Sequence, residues 1–353
     1  MKPIKAPPPT RLEPPARARE TLIRLVSDLL RMPWQRVDAR HYLDDYQASQ
    51  WLPPTPLREL QLAKLRRLVW HCFLHVPWYA ARIRLPPSRL ERLDGLAELP
   101  AVSADERRDE APFVATTFEP VAAERRTAGT RGKPARVILD GAALERRLAV
   151  RLRAERWAGA PPGRLFSPWP WDRELRVAHV PAASELDKLH AELVRARGAV
   201  VMGPGPALDA LARVIEGAPR PSRWRALVRG AEAQVRGVVV TGPDTASGGG
   251  ARLAGLTGAR LSRWYVCAEV GLIAATCDRA PSEAALHVQA DHLLVEVLGD
   301  GGAPLAPGAV GRLHVTDLHN YAAPYLRQDL GDRGRLLPHP CACGRALPLL
   351  ELQ

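Results

Sequence analysis

A chain of 353 residues, 46% apolar and 25% charged, is long enough to bury more than one subdomain and has the balance of a soluble globular protein. No apolar run approaches the ~20 residues of a membrane helix, so no helical membrane partner is expected. The net charge of +12 does not indicate nucleic acid: only five of the 50 basic residues are Lys, the bias of a GC-rich genome, and no basic stripe interleaved with aromatics is present.

Residues 1–18 carry Pro3, Pro7, Pro8, Pro9, Pro14 and Pro15 without the features of a signal or transit peptide. They read as a disordered leader, and a cytoplasmic protein is expected. Leu22, Leu25, Leu29 and Leu30 predict an amphipathic helix over 19–30. A second helix is predicted over 56–72, with Leu57, Leu60, Leu65, Leu68 and Val69 on its apolar face, and Pro77 disfavours helix at Val76. Residues 125–140 form a glycine-containing turn entering a strand at 135–139, and 142–157 a helix stopped by Gly159 and Pro161. Strands at 177–180, 199–202 and 235–241 alternate with helices at 184–197 and 206–215. This alternation predicts an α/β fold, its mainly parallel sheets flanked by helices. From His287 the pattern changes to strands at 293–298 and 310–317 joined through a turn rich in Gly and Pro. The expected division is an α/β core, 19–286, and a small β-rich subdomain, 287–353.

The segment Thr127–Ala128–Gly129–Thr130–Arg131–Gly132–Lys133–Pro134 can present backbone N–H groups and the Lys133 charge to a phosphate chain. It is not a Walker loop, because Pro134 stands where a Ser or Thr would hold Mg²⁺ and a helix would begin. Taken alone it reads equally as a plain basic turn.

Its company decides between these readings. The segment resembles the T-S-G-[ST]-T-G-x-P phosphate loop of adenylate-forming enzymes. Thr241–Gly242–Pro243–Asp244 resembles their adenine-side turn, Tyr265–Val266–Cys267–Ala268–Glu269 their Y-G-x-T-E element, and Arg327 through Asp332 their R-Y-x-x-G-D element. Three further segments are similar to the phenylacetate–coenzyme A ligase family. They are His75–Val76–Pro77–Trp78–Tyr79, Thr316–Asp317–Leu318–His319–Asn320 with Pro324 and Arg327, and Cys341–Ala342–Cys343–Gly344–Arg345 with Leu347 and Pro348. The joint order of these motifs, over about residues 57–350, carries the resemblance.

The resemblance implies ATP-dependent activation of an aryl or short acyl carboxylic acid as acyl-AMP, with Mg²⁺ and with coenzyme A or a carrier protein as thiol acceptor. Thr127, Gly129, Thr130, Gly132 and Lys133 would cradle the phosphates. Gly242, Asp244 and Tyr265 would line the nucleotide, Glu269 would help hold Mg²⁺, and Asp332 would accept the ribose hydroxyls. Glu269 and Lys133 are the candidate catalytic residues. The residue-level alternatives are an ordinary surface carboxylate for Glu269 and a Gly–Asp turn for Asp332. Ala128, Arg131, Val266 and Ala268 depart from the family pattern, and Ala268 removes a hydroxyl that would touch phosphate.

The family continues into a mobile C-terminal domain whose Lys contacts the α-phosphate, whereas this sequence stops at Gln353. The expectation is slow adenylation by the chain alone, down on the order of 10²–10³ in rate, with the missing domain supplied by a separate partner. Homodimerisation is a further partner expectation, and a catalytically degenerate nucleotide- or acyl-adenylate-binding subunit is the alternative function.

Five cysteines, Cys72, Cys267, Cys277, Cys341 and Cys343, do not make a disulfide framework. Cys341 and Cys343 alone could be inert thiols. In the resembled family a Cys after the Y-G-x-T-E element and a nearby His recur with the late C-x-C. Cys277, His287, Cys341 and Cys343 would then hold a structural Zn²⁺, with His339 the rival fourth ligand. Cys267 is expected beside the nucleotide rather than on the metal. His71, His179, His190, His292, His314 and His319 show no partner spacing and read as structural or surface residues.

Overall fold

The computed structural model describes residues 39–84, 87–116, 121–126, 136–159, 165–166, 199–217, 235–242, 248–280 and 284–353. The helices expected at 19–30 and 184–197 and the strand at 177–180 lie outside these residues. Among the described residues no helix is long and apolar enough to cross a membrane.

The chain enters through α1 (Arg40–Ser49), α2 (Pro54–His75) and the single turn α3 (Pro77–Ala80). Pro54 fits the first position of α2, where its missing N–H is no loss. Pro77 ends that helix by holding Val76 extended, at φ −112° and ψ 107°. Leu57, Gln61, Leu65, Leu68, Val69 and Cys72 form the buried face of α2. The paired strands β1 (Ala123–Arg126) and β2 (Arg136–Leu139) lead into α4 (Gly141–Trp157). Asp140 caps α4, one carboxylate oxygen accepting the Ala143 N–H at 2.8 Å and the other the Tyr321 N–H at 2.8 Å. From Leu148 to Trp157 only Arg156 of α4 reaches the surface, so this helix is central.

The main sheet is continuous among the described residues, in the order β3-β4-β5-β6-β7-β8-β12-β11-β10-β9. Strands β3 (Leu165–Phe166), β4 (Ala199–Pro204), β5 (Val235–Thr241) and β6 (Arg260–Cys267) are parallel. The remainder is antiparallel: β7 (Gly271–Ala275), β8 (Leu286–Val288), β9 (Leu293–Leu298), β10 (Gly311–Asp317), β11 (Gln328–Leu336) and β12 (Leu349–Leu352). The strands expected after His287 fall in the antiparallel part of the sheet, which begins earlier, at β7.

Strand β5 is buried on both faces, as its Val content predicts. Val238 and Val240 pack with Leu208 and Leu211 of α5 (Gly205–Gly217) and Leu253 of α6 (Gly249–Thr257). Val239 packs on the other side with Leu148 and Leu152 of α4. The start of α6 touches the start of α5 so closely that a Cβ on Gly249 would lie 2.2 Å from the Gly205 carbonyl oxygen. The connection from β10 to β11 reaches back to the N-terminal helices. Arg107 donates to the carbonyls of Ala323 and Pro324 and lies over the rings of Phe113 and Tyr325.

Candidate nucleotide site and metal centre

Strands β5 and β6 end side by side, with Thr241 paired to Trp264. The carboxyl ends of parallel strands are where α/β sheets bind ligands. Gly242 follows β5 in the left-handed conformation, φ 75°, and is exposed, so the chain turns sharply there. Tyr265 lies near the end of β6, and its hydroxyl donates to a carboxylate oxygen of Asp332 on β11 at 2.7 Å. In the ladder β7, β8 and β12 separate these strands, so the sheet curls to bring them together. Asp332 is steadied by its neighbours: Gly331 has φ 71°, and its N–H donates to Asp329 at 2.7 Å.

Glu269 occupies the turn between β6 and β7 and is half-buried. Its carboxylate is a hard oxygen donor of the kind Mg²⁺ takes. Arg147 of α4 anchors this turn, donating to the carbonyls of Ala268, at 3.2 Å, and Glu269, and to Asp317 at 3.0 Å. Of the sequence-predicted residues, Gly242, Tyr265, Glu269 and Asp332 are described, and Tyr265 meets Asp332 directly. Thr127, Gly129, Thr130, Gly132, Lys133 and Asp244 lie outside the described residues. The segment that carries the first five connects the hairpin strands β1 and β2, where Arg126 pairs with Arg136. Sequence reasoning missed Arg147. The Asp in Thr316–Asp317–Leu318 was its available signal, a motif acid with no partner named.

At the seam between the sheet halves Cys277, His287, Cys341 and Cys343 converge, their donor atoms all within 4.8 Å of one another. The Cys277 and Cys341 sulfurs are 3.8 Å apart, and Cys343 Sγ is 3.3 Å from His287 Nε2. A tetrahedral ion at ~2.3 Å from sulfur sets its sulfurs about 3.8 Å apart, so the set fits zinc. His287 Nδ1 donates to the Leu347 carbonyl at 3.1 Å, which turns the Nε2 lone pair toward the thiols. Burial pushes His287 down to about 4, keeping the imidazole neutral, and pushes Cys277 up to about 12, a cost that a bound dication removes. Against its own burial, Cys343 is held below the usual thiol range by the Arg345 backbone N–H and guanidinium. His339 is exposed and outside the cluster, and the half-buried Cys267 at the end of β6 also lies outside it.

The centre is braced from outside. Arg345 lies over the rings of Trp51 and Trp157 and donates to Gln50 at 2.7 Å, where the Trp157 N–H also donates at 3.1 Å. A second polar group lies beneath. Arg153, fully buried, binds both oxygens of Asp291 at 2.5 and 2.8 Å and donates to Gln289 and to the Tyr46 carbonyl. Next to it the Tyr46 hydroxyl pairs with His292 at 2.8 Å, and His292 stacks on His319 with centroids 5.1 Å apart.

No protein-family model matches the chain. A phenylacetate-coenzyme A ligase of Thermus thermophilus is 28% identical over 317 residues, 83% of this chain and 69% of that one. An open conformation of 2-hydroxyisobutyryl-CoA ligase, in complex with 2-HIB-AMP and CoA, superposes with TM-score 0.70 at 18% identity, covering 85% of this chain and 75% of that one. The same ligase in its thioesterification state gives 0.69 at 17% identity, covering 84% and 67%. This chain therefore shares its fold with that solved ligase, and the ligase resemblance of its motifs has a counterpart in a relative of that name.

Proposed function

We propose that this chain activates a carboxylic acid with ATP, forming an acyl-AMP and pyrophosphate, and passes the acyl group to the thiol of coenzyme A. The contact between Tyr265 and Asp332 carries this reading: it joins two of the resembled motifs at the ligand-binding end of the parallel strands. Asp332 accepts the ribose hydroxyls, with the Tyr265 hydroxyl fixing its carboxylate. Glu269 holds Mg²⁺, which screens the triphosphate while the carboxylate attacks the α-phosphate. Thr127, Gly129, Thr130, Gly132 and Lys133 hold the β- and γ-phosphates, and Gly242 with Asp244 flanks the adenine. The acid is aryl or short acyl. The Cys₃His centre holds one Zn²⁺ in a closed, structural role.

A second reading is favoured by Ala268, which lacks the hydroxyl that the family pattern puts against phosphate, and by Val266, which stands where that pattern has Gly: a core that binds nucleotide or acyl-adenylate with little turnover. Pyrophosphate release against a panel of aryl and short acyl acids, beside thermal stabilisation by ATP and Mg²⁺, separates the two. Release supports the ligase, and stabilisation without release supports the binding subunit. Neither at millimolar ATP refutes the nucleotide site.

A further inference from the structure

We propose that Arg147 and Asp317 form a clamp that positions Glu269 for Mg²⁺, which makes Arg147 a positioning residue for ATP binding. The inference rests on the proposed role of Glu269 and adds the device that makes the role possible.

Arg147 projects from α4 to the β6–β7 turn, where its guanidinium meets the two carbonyls of Ala268 and Glu269. Turn carbonyls at the end of a hairpin normally face water. Here a charged donor takes both, on the residue that bears the carboxylate and the residue before it. The same Nη2 that meets the Glu269 carbonyl also donates to Asp317 at the end of β10, with side-chain exposures of 10% for Arg147 and 1% for Asp317. The other oxygen of Asp317 accepts the His319 N–H at 3.0 Å, so the anchor is itself fixed. Gly271, just past the turn, has φ 81°, and a Cβ there would lie 3.4 Å from Arg147 Cδ. A glycine thus supplies the bend and leaves the arginine its path.

Three acceptors around one guanidinium need the planar fork of Arg; a Lys ammonium keeps the charge against Asp317 but has a single donor centre. Without the clamp the backbone of the turn is free, and ordering Glu269 on the ion opposes binding. Groups that orient a metal ligand typically change metal affinity about 10–100-fold.

The experiment measures, by calorimetry on the full chain, the Mg²⁺ concentration that half-restores ATP binding. It compares wild type, R147K, E269Q and the double variant, and follows amide exchange over residues 266–272. In R147K the required Mg²⁺ should rise about 10–100-fold and exchange in the turn should quicken, while ATP binding at saturating Mg²⁺ is recovered. In the E269Q background R147K should add no further shift, which a merely structural loss would not produce. A folded R147K with wild-type Mg²⁺ dependence, or an equal shift with and without Glu269, overturns the clamp. Should R147K not fold, D317N keeps the arginine and must move the Mg²⁺ requirement in the same direction; an unchanged requirement overturns the clamp as well. A wild-type chain that fails to bind ATP with Mg²⁺, or an E269Q variant with unaltered Mg²⁺ dependence, removes the proposed site and the clamp together. Failure of R147K or D317N alone removes only the clamp.

Discussion

Stripping the metal from the Cys₃His centre should destabilise the protein by an amount that can be worked from its geometry. The proposed ion would tie Cys277 to Cys341, 64 positions apart. Closing a loop of that length removes denatured-state entropy worth about 4 kcal/mol by the cross-link relation. Large domains lose about 2–4 °C of melting temperature per kcal/mol, so removal should lower it by about 8–16 °C. Two effects move the figure. Buried thiols that lose a dication must stay protonated, which softens the loss, and unfolded Cys and His retain some metal affinity, which reduces the linkage. The assay is elemental analysis of protein purified without a metal-binding tag, then melting before and after chelation in the absence of nucleotide. C343S should melt like the chelated protein, and C267A, altered outside the cluster, should respond to chelation like wild type. A folded chain containing no zinc, with the same melting temperature after chelation, would refute the reasoning.

Three further outcomes follow from the site and its support. D332A should weaken ATP binding about 10–150-fold, the worth of about 1.5–3 kcal/mol in hydrogen bonds to a charged group, and Y265F should weaken it severalfold, both checked by calorimetry. R153M leaves Asp291 buried without its cation and should cost about 3–5 kcal/mol, measured by denaturant unfolding, with zinc content as control. Burial holds His292 down at about 4 and His319 well below its usual value, so the folded state keeps both neutral. For His292 the stability this carries is whole above pH 6.5 and is lost as pH falls from there toward 4, at about 1.4 kcal/mol per pH unit, and His319 acts in the same direction. H292Q should flatten that slope, and an unchanged slope would contradict it.

Much of the fold was legible because its signals are local. The apolar spacing of α2, the stop at Pro77, the Val run of β5 and the switch of period before β9 each depend on near neighbours in sequence. The Cys₃His cluster was legible through the family resemblance, which set Cys277 and His287 beside the late Cys341 and Cys343. The cations of α4 were not. Residues 141–157 contain Arg146, Arg147, Arg151, Arg153 and Arg156, and the helical pattern cannot say which of them turns inward. That is decided by Asp317 and Asp291, 170 and 138 positions away. The pairing of His292 with Tyr46 and His319 was hidden for the same reason, since Tyr46 lies 246 positions earlier.

The seam that carries the Cys₃His cluster also has a bearing on strand alignment. Strand β8 is three residues long and holds β12 through two paired positions, Leu349 with His287 and Leu350 with Leu286. A slip of β12 by two residues would keep the same side chains facing the core, so apolar packing alone discriminates against it weakly. A bound ion would discriminate, because Cys343 and His287 meet at one alignment only. Strand β12 in turn pairs with β11, Gly334 opposite Leu352, on the strand that carries Asp332. A two-residue error carried through to β11 would displace that carboxylate by about 6.7 Å from Tyr265. A filled centre would in this sense be a gauge that sets how far along the sheet Asp332 is delivered to Tyr265.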